Sequence, residues 1–448
     1  QNDLDLTPLN ECSGLNDLFI SFEDATNIDM SGFAPKKLKT LHLNAGAFLR
    51  ELRLDGLKEC SELREVNLDM LPQLRSISFL EGSTGLQELH LSNVGISDLS
   101  PILNSKGNLY NFQVDDCQNL HDFSPLEECV KMLNIHLGGW REWRDVSFLY
   151  NMQGLKSVGI YSANLPNLDF IKNMNRNGEA ISLQIHGKVR DWSALAEVTG
   201  YQDLNIRSDD RDFSKIAPYL EKCSIRYLTL NDFENLDFTQ LPKVYIELHI
   251  QNGSGNRDLK GLPRLGMGKL ILEDLQDLES LNGLETAFED GIRPQLVVMG
   301  CPRLTDWSAL ENMTLNWLDL TGVYTLPDLS KTEISGMRLE SMDWIEDLSI
   351  LDGLDADRYY GSIELAALPA TIDISPVRRL RGNILKVQPE FRELAQSIVD
   401  EGRFKQLEIE YPQGGWEPWN GEVKLKSLEE LDRLPIAALK HVKTLALA

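Results

Sequence analysis

The sequence lacks the features that would place it in a membrane or on nucleic acid. No run of about 18 or more apolar residues is present, which is the length that a membrane-spanning helix needs. Basic residues are a minority, because 44 Lys and Arg stand against 69 Asp and Glu, for a formal net charge of −25. Such a chain repels nucleic acid phosphates and anionic lipid surfaces. We therefore expect no nucleic acid partner and no membrane insertion.

Signatures of catalysis and metal binding are also missing. The sequence has no Gly-x-Ser-x-Gly, no phosphate-cradling glycine loop and no His-Glu-x-x-His. Its 6 cysteines form no Cys-x-x-Cys pair. They recur at equivalent places beside short strands, which predicts small buried side chains rather than zinc ligands or a disulfide framework. We expect no enzyme activity, no cofactor and no metal.

A repeat of about 23 residues recurs from near residue 18 to the last strand at 445–447. Each copy carries one short apolar-x-apolar strand. A unit of this size buries its apolar face only against its neighbours, which predicts a stack of coils. The strands are expected at 41–43, 66–68, 89–91, 112–114, 134–136, 158–160, 183–185, 204–206, 228–230, 248–250, 270–272, 296–298, 318–320, 337–339, 363–365, 385–387, 407–409 and 445–447.

A second signal follows the strands and keeps phase with them. It reads Asp-x-Ser followed by apolar residues, as in DLSPI, DFSPL, DVSFL and DWSAL. We expect it to begin a short turn or 3-10 segment that closes the core opposite the strand. Because the aspartate recurs once per coil, it is expected to form turns and not to catalyse. The clearest copies begin at Asp98, Asp122, Asp145, Asp191 and Asp306.

These two signals together resemble the leucine-rich-repeat family, and in particular the short-helix repeats of bacterial internalin-like cell-surface proteins. The resemblance implies one β-rich α/β solenoid of about 18 repeats over residues 1–448. It further implies a horseshoe with a concave parallel β-sheet, and with short turns, 3-10 segments or helices on the convex side. A secreted or cell-surface location is implied as well, with the cytoplasm as the alternative.

The sequence departs from the family at the position of the usual asparagine ladder. Backbone amides that a ladder Asn would satisfy must find other partners, so irregularity between coils is expected. The ladder positions hold Val94, Cys117, Gly138, Ala163, Phe233, Cys301 and Val323.

Two segments near the end of the chain interrupt the repeat. Pro389 and Gly402 are placed to begin and end a helix over 389–402. A second helix is expected at 427–434, where Ser427 and Glu430 have capping-box spacing. The chain then stops directly after a strand, which predicts that another domain, a partner or a neighbouring molecule covers that end.

Any recognition surface is expected on the concave sheet face, at strand positions that alternate with the inward apolar residues. The middle column is expected to contain His42, Asn67, His90, Gln113, Asn134, Gly159, Gln184, Asn205, Thr229 and His249. The next column is expected to contain Asn44, Asp69, Ser92, Asp115, His136, Tyr161, His186, Arg207, Asn231 and Gln251. Five of the 7 histidines fall on this face, yet strands about 4.8 Å apart spread them too far for shared metal coordination. The contact residues predicted here are His90, Gln113, His136, Tyr161, His186 and Arg207.

Two loops, 138–145 and 411–421, each carry two Trp residues beside glycines. One interpretation makes Trp140, Trp143, Trp416 and Trp419 contact residues for a protein loop or a sugar ring. The other makes them core filler at over-long corners, as expected of Trp192 and Trp307 in the DWSAL turns.

These observations favour a non-enzymatic module that binds a protein or glycan partner. One alternative is a polysaccharide-active enzyme on a parallel β-helix, which would require two or three true strands in every coil. Another is a structural spacer within a larger surface protein.

Overall fold

The structure is a computed structural model. It describes residues 3–4, 6, 10, 12, 14–22, 26–45, 49–139, 142–152, 154–174, 178–266, 268–356, 359–410, 422–425 and 444–447.

The chain forms two compact units. The first comprises Gln1–Pro294 with Met299–Ala309, and the second comprises Gln295–Val298 with Leu310–Ala448. Each is a stack of similar coils. That the whole chain is one solenoid of about 18 repeats stays a prediction.

The first unit is built on a parallel sheet of twelve strands, each of which pairs with the strand of the next coil. These strands are β2 Asp17–Phe22, β4 Thr40–Ala45, β6 Glu65–Asp69, β7 Glu88–Ser92, β8 Asn111–Asp115, β9 Asn134–Leu137, β10 Ser157–Leu165, β11 Ile181–Val189, β12 Tyr201–Ser208, β13 Ser224–Asn231, β14 Val244–Gln251 and β15 Lys269–Glu273. A small parallel sheet accompanies it, formed by β1 Asp3–Leu4, β3 Asn27–Asp29 and β5 Glu51–Arg53.

The second unit repeats this plan with five consecutively paired strands. They are β18 Trp317–Thr321, β20 Met337–Glu340, β21 Tyr360–Ala366, β22 Arg381–Val387 and β23 Phe404–Ile409. Two short parallel pairs are also present, β17 Thr314–Leu315 with β19 Glu333–Ile334, and β24 Glu422–Leu425 with β25 Thr444–Leu447. The remaining strand is β16 Gln295–Met299.

In both units, alternation along the strands decides what is buried. In β4, for example, Leu41 and Leu43 are buried whereas His42 between them is half-buried and Asn44 is exposed. Successive side chains of a strand point to opposite faces, so every coil adds one row of Leu, Ile or Val to a continuous core. The apolar-x-apolar pattern of the sequence is the direct cause.

One strand lies where it is predicted but differs from the prediction in register. The pattern around 132–137 allows two readings, and the prediction placed Asn134 between the inward side chains. In the structure Ile135 pairs with Phe112 and Val158, and Leu137 is buried. His136 therefore takes the central outward position, because register is set by the neighbouring strands and not by the local pattern. The short strand β24 was not predicted.

Many strands of the main sheets are followed by one residue in the left-handed region. Examples are Asn93 at φ 49°, Asp116 at φ 51° and Ser341 at φ 55°. The amide of this residue donates to the chain of the next coil, as when Asn93 N donates to Asp115 O over 2.8 Å. The sharp turn ends the strand and sends the chain toward the opposite side of the coil.

The predicted Asp-x-Ser turns are present, and each aspartate holds the start of a 3-10 segment. Asp145 Oδ1 accepts from Ser147 N over 2.9 Å, and Asp191 Oδ1 accepts from Ser193 N over 2.8 Å. These hydrogen bonds keep the pKa of both carboxyls below the usual value. The 3-10 segments are Asp55–Glu59, Ser78–Gly82, Ser100–Ser105, Ser124–Glu128, Ser147–Asn151, Ser193–Glu197, Phe213–Lys215, Phe238–Gln240, Leu284–Thr286, Ser308–Leu310, Ser349–Gly353, Ser375–Arg379 and Pro389–Phe391.

Three α-helices are described: α1 Ile171–Met174, α2 Ala217–Leu220 and α3 Arg392–Asp400. The last is the helix that the sequence predicts over 389–402, and it buries Ala395 and Ile398. Gly402, at φ 72°, follows its end. The helix predicted at 427–434 lies outside the described residues.

Five cysteines are buried and all six are free thiols. Burial raises the pKa of Cys60 to about 12 and that of Cys117 to about 11. Cys12 is exposed, which corrects the prediction that all six are core residues. At the ladder positions, Cys117 and Cys301 lie 3.6 Å and 3.8 Å from the carbonyls of Leu91 and Leu272, so their thiols contact backbone that a ladder Asn would otherwise reach.

Candidate binding face

The strand positions that alternate with the buried Leu, Ile and Val form the open face of each unit. In the first unit its central column, in pairing order, is Phe19, His42, Asn67, His90, Gln113, His136, Gly159, Gln184, Asn205, Thr229, His249 and Ile271. The adjacent column includes Asn44, Asp69, Ser92, Asp115, His186, Arg207, Asn231, Gln251 and Glu273. Amides, hydroxyls and imidazoles predominate in both columns.

Three of the predicted contact residues form a stack of rings on this face. The ring centroids of His136 and Tyr161 lie 4.8 Å apart, and those of Tyr161 and His186 lie 4.6 Å apart. Tyr161 reaches this place because the pairing of β10 with β11 is irregular between Ile160 and Ala163. Its hydroxyl donates to Gln184 Oε1 over 2.5 Å, which fixes the tilt of the ring.

Asp115 anchors one end of this stack. Its two carboxylate oxygens lie 3.5 Å from His136 Nε2 and 3.6 Å from His90 Nε2. Burial on its own raises the pKa of Asp115, but the two histidines outweigh it and hold that pKa below the usual value. Gly138 makes the arrangement possible, because a Cβ at that position would stand 1.6 Å from Asp115 Oδ1.

His186 and Arg207 are adjacent in register but have different partners. His186 Nε2 lies 3.0 Å from Asn205 Oδ1, which also accepts from Asn231 Nδ2 over 2.9 Å. Burial, together with the nearby Arg207 charge, lowers the pKa of His186, although the hydrogen bond with Asn205 opposes this shift. Arg207 is turned toward Asp232, with 2.5 Å between Nε and Oδ2.

A cleft of ≈ 240 Å³ opens on the face at Gly159. The Gly159 backbone forms its floor, because this residue has no side chain to fill the space. A Cβ at Gly159 would lie 3.3 Å from His136 Nδ1 and 3.5 Å from Tyr161 Cε2. Two of the predicted contact residues, His136 and Gln113, line this cleft. The sequence does not predict the cleft itself, because the gap depends on the register of β9. The lining residues are Asn111, Gln113, Asn134, Ile135, His136, Ser157, Gly159 and Gln184.

A patch of exposed tyrosines was missed by the sequence reasoning. Tyr201, Tyr227 and Tyr245, on β12, β13 and β14, are 49%, 40% and 38% exposed. The Tyr201 and Tyr245 ring centroids lie 6.0 Å apart. The available signal was a tyrosine shortly before the apolar-x-apolar pattern in three consecutive repeats. We call these three residues the tyrosine patch.

The cations beside the tyrosine patch already hold acidic partners. Arg226 donates two hydrogen bonds to the Asp203 carboxylate, from Nε to Oδ1 over 2.8 Å and from Nη2 to Oδ2 over 2.5 Å. Lys243 Nζ lies 2.6 Å from Glu289 Oε1. The patch is therefore an aromatic surface whose neighbouring charges are compensated.

The open face of the second unit has a different chemistry. Its central column alternates in charge along the paired strands: Asp319, Arg338, Glu364, Lys386 and Glu408. Arg338 Nη1 lies 3.9 Å from Asp319 Oδ2, and the same guanidinium contacts Glu340. Burial raises the pKa of both Glu340 and Glu364, although nearby Arg338 opposes the shift at each.

The predicted tryptophan contacts are corrected at one position. Trp143 is only 3% exposed, and its Nε1 donates to Gly138 O over 3.2 Å. Its ring packs on Phe123 at a centroid distance of 5.3 Å, so it fills the core instead of meeting a partner. Trp140, Trp416 and Trp419 lie outside the described residues.

Within the described part of the chain, no group of three or more His, Cys, Asp or Glu side chains is arranged to hold a metal ion. The same part contains no helix long and apolar enough to cross a bilayer.

The recurring strand, left-handed residue, Asp-x-Ser turn and 3-10 segment define the class. The fold is a β-rich leucine-rich-repeat solenoid, and the predicted fold class is confirmed. No family model and no curated protein sequence matches the chain.

Solved structures of leucine-rich-repeat proteins are similar to it. An internalin from Listeria monocytogenes, InlF, is 19% identical with a TM-score of 0.40, over 64% of this chain and 88% of that one. A leucine-rich-repeat protein of Leptospira interrogans is 13% identical with a TM-score of 0.31, over 92% of this chain and 100% of that one. The ectodomain of the Arabidopsis thaliana receptor kinase GASSHO1/SCHENGEN3, solved with Casparian strip integrity factor 2, is 13% identical with a TM-score of 0.33, over 88% of this chain and 53% of that one.

Proposed function

We propose that this protein is a non-enzymatic binding module that holds a protein or glycan partner against the open face of its first unit. The observation that carries the proposal is the concentration of accessible rings on that face. The stack of His136, Tyr161 and His186 lies on β9 to β11, and the tyrosine patch lies on the next three strands. Tyrosine and arginine are enriched among the residues that dominate binding energy at interfaces.

The geometry also supports a rigid surface. Tyr161 is held by Gln184, His136 by Asp115 and Arg207 by Asp232, so the rings and the guanidinium are ordered before a partner arrives. Side chains that are already ordered lose less conformational freedom on binding, which favours affinity. Parallel strands give these side chains a fixed spacing of about 4.8 Å across the face.

The predicted enzyme alternative required two or three true strands in every coil. Most described coils of the main sheets have one long strand, and a second short strand such as β3 or β5 is present in only a few, which fits a binding solenoid better. A secreted or cell-surface location stays a prediction. The complete gene product would test it, because a leader and an anchor would place the protein outside the cell.

The test is to screen the whole chain against displayed extracellular protein domains and a glycan array, and then to measure dissociation constants for the binders. We expect the double variant Tyr161→Ala/Arg207→Ala to weaken binding by about tenfold or more. The matched control is Tyr324→Ala/Arg303→Ala, because Tyr324 is 60% exposed outside the strands and Arg303 holds an acidic partner as Arg207 does. Equal affinities of the two double variants for every binder would overturn the proposal.

A further inference from the structure

Building on the proposed binding role of the open face, we propose that the Gly159 cleft holds one uncharged sugar ring of a glycan partner. The volume of ≈ 240 Å³ limits the occupant to a compact group. Pockets for drug-sized ligands begin at roughly 300 Å³, so a single ring fits the cleft better than a larger ligand does.

The side chains in the walls of the cleft can both donate and accept hydrogen bonds. Within the described residues, no hydrogen bond engages the side chains of Gln113, Asn134 or Ser157, so they can bind an occupant. Gln184 accepts from Tyr161 through Oε1, which turns its amide donors toward other partners. An amide donates and accepts, and a sugar hydroxyl does the same, so neighbouring hydroxyls of one ring match this lining.

The floor offers a surface for the less polar face of the ring. His136 Nδ1 and Tyr161 Cε2 approach the empty Cβ position of Gly159 to 3.3 Å and 3.5 Å. An occupant lying there would rest on the Gly159 backbone beside the His136 ring, with amides at the sides. This combination suits a molecule with C–H groups on one face and hydroxyls around its edge.

Other ligand classes fit the cleft less well. None of its lining residues is Lys or Arg, and His136 already has Asp115 as its acidic partner, so a phosphate, sulfate or carboxylate would meet no uncompensated positive charge. Ile135, the one large apolar side chain of the lining, is 2% exposed, so an apolar peptide side chain would find almost no apolar wall. An uncharged hydroxylated ring is the occupant that satisfies the exposed amides without leaving a buried charge.

The experiment uses the whole chain and immobilised probes. The probes are uncharged mono- and oligosaccharides of glucose, galactose, mannose and N-acetylglucosamine, together with sialylated and sulfated glycans and peptides rich in Asn and Gln. Gly159→Val fills the floor with a residue that suits a strand, and Gln113→Ala/Asn134→Ala removes hydrogen-bonding groups without adding bulk. Tyr324→Ala, at an exposed position outside the strands of the binding face, is the control.

We expect the wild-type chain to bind at least one uncharged sugar. Gly159→Val and Gln113→Ala/Asn134→Ala should each weaken that binding by about tenfold, whereas Tyr324→Ala leaves it unchanged. If Gly159→Val unfolds, as judged by circular dichroism, the double alanine variant decides. The proposal is overturned if no uncharged sugar binds, if charged glycans bind better, or if both cleft variants bind sugar as the wild type does.

Peptide binding that Gly159→Val abolishes would also overturn it, in favour of a protein partner. That outcome leaves the binding function of the face intact. Failure of the function itself has a different signature, since Tyr161→Ala/Arg207→Ala would then match its control for every binder.

Discussion

The open faces of the two units share one backbone plan but carry different side chains, mostly uncharged in the first unit and charged in the second. In the first unit the central column consists mainly of amides and imidazoles, and Asp115 in the adjacent column is flanked by two histidines. In the second unit the same column alternates acid and base from Asp319 to Glu408. A parallel ladder therefore accepts either kind of side chain, provided that its neighbours in register compensate it.

The difference indicates how much stability each face loses when one of its side chains is removed. Neutral side chains can lose a neighbour at little cost, because water can replace the lost hydrogen bond. Partly buried charges cannot, because removing one charge leaves its partners uncompensated. The first face is thus suited to recognition, and the second depends on its own internal pairing.

The largest expected effect comes from removing the central cation of the second face. Arg338→Met leaves Asp319, Glu340 and Glu364 without this guanidinium, and we expect the free energy of unfolding to fall by about 3 kcal/mol. Arg207→Met is the matched change in the first unit. Arg207 is 53% exposed, so a loss below about 1 kcal/mol is expected. Urea denaturation measures both, and equal losses would erase the contrast between the faces.

The second prediction concerns pH. Glu340 and Glu364 have raised pKa values, so the folded second unit holds more protons than the unfolded chain between the ordinary value of 4.5 and the raised one. Their contribution to stability therefore falls as pH rises through that window. Asp115 has a lowered pKa, so the stability it contributes is present above 3.8 and is lost as pH falls below that value.

Amide hydrogen exchange of each unit between pH 3 and pH 7, on the scale of about one pH unit per step, would measure these opposite trends. Glu364→Gln removes one of the two carboxyls with a raised pKa. The stability of the second unit should then fall less as pH rises above 4.5, and the first unit should be unchanged. A Glu364→Gln variant with the wild-type pH dependence would count against this assignment.

A smaller effect, similar in both units, is expected at the turns. Asp145→Ala and Asp373→Ala each remove a carboxylate that accepts from the serine amide two residues later. We expect a modest fall in melting temperature for each, of similar size, because the turn chemistry is the same where the faces differ. Thermal denaturation followed by circular dichroism checks it, with Asp145→Asn and Asp373→Asn as the conservative controls. A large loss in one unit only would show that the turns are not equivalent.

The smallest effect is expected where two opposing contributions nearly cancel. Met70 in the first unit and Ala367 in the second have φ of 55° and 46°, where a side chain is strained. Met70→Gly and Ala367→Gly relieve this strain but increase the entropy of the unfolded chain, so a net change within about 1 kcal/mol is expected. Substituting the adjacent extended residues Asp69 and Ala366 by Gly is the control, and it should destabilise the protein in urea denaturation.

Much of the fold could be predicted from local pattern. The apolar-x-apolar strands and the Asp-x-Ser turns are signals within a few residues, because strand alternation and a carboxylate accepting from an amide two residues later are local effects. The strand at 134–137 shows the limit. Two registers satisfy its local pattern, and the pairing of Ile135 with Phe112 and Val158 decides between them.

The candidate site was predicted less completely, for the same reason. The predicted contact residues lie one on each strand from β7 to β12, as expected of face residues. They are His90, Gln113, His136, Tyr161, His186 and Arg207. Their role in binding stays a prediction. The Gly159 cleft and the contact between Tyr201 and Tyr245 require side chains from different coils, and no short-range signal in the chain specifies such contacts.

By itself, the sequence determined the repeat, the turns and most of the residues that enter the core, because these depend on spacing along the chain. Tertiary structure alone decided the exposure of Cys12, the burial of Trp143, the register of His136 and the opposite chemistry of the two faces. Each of these depends on which side chains meet across coils about 23 residues apart, where the free energy of packing and charge compensation outweighs local preference.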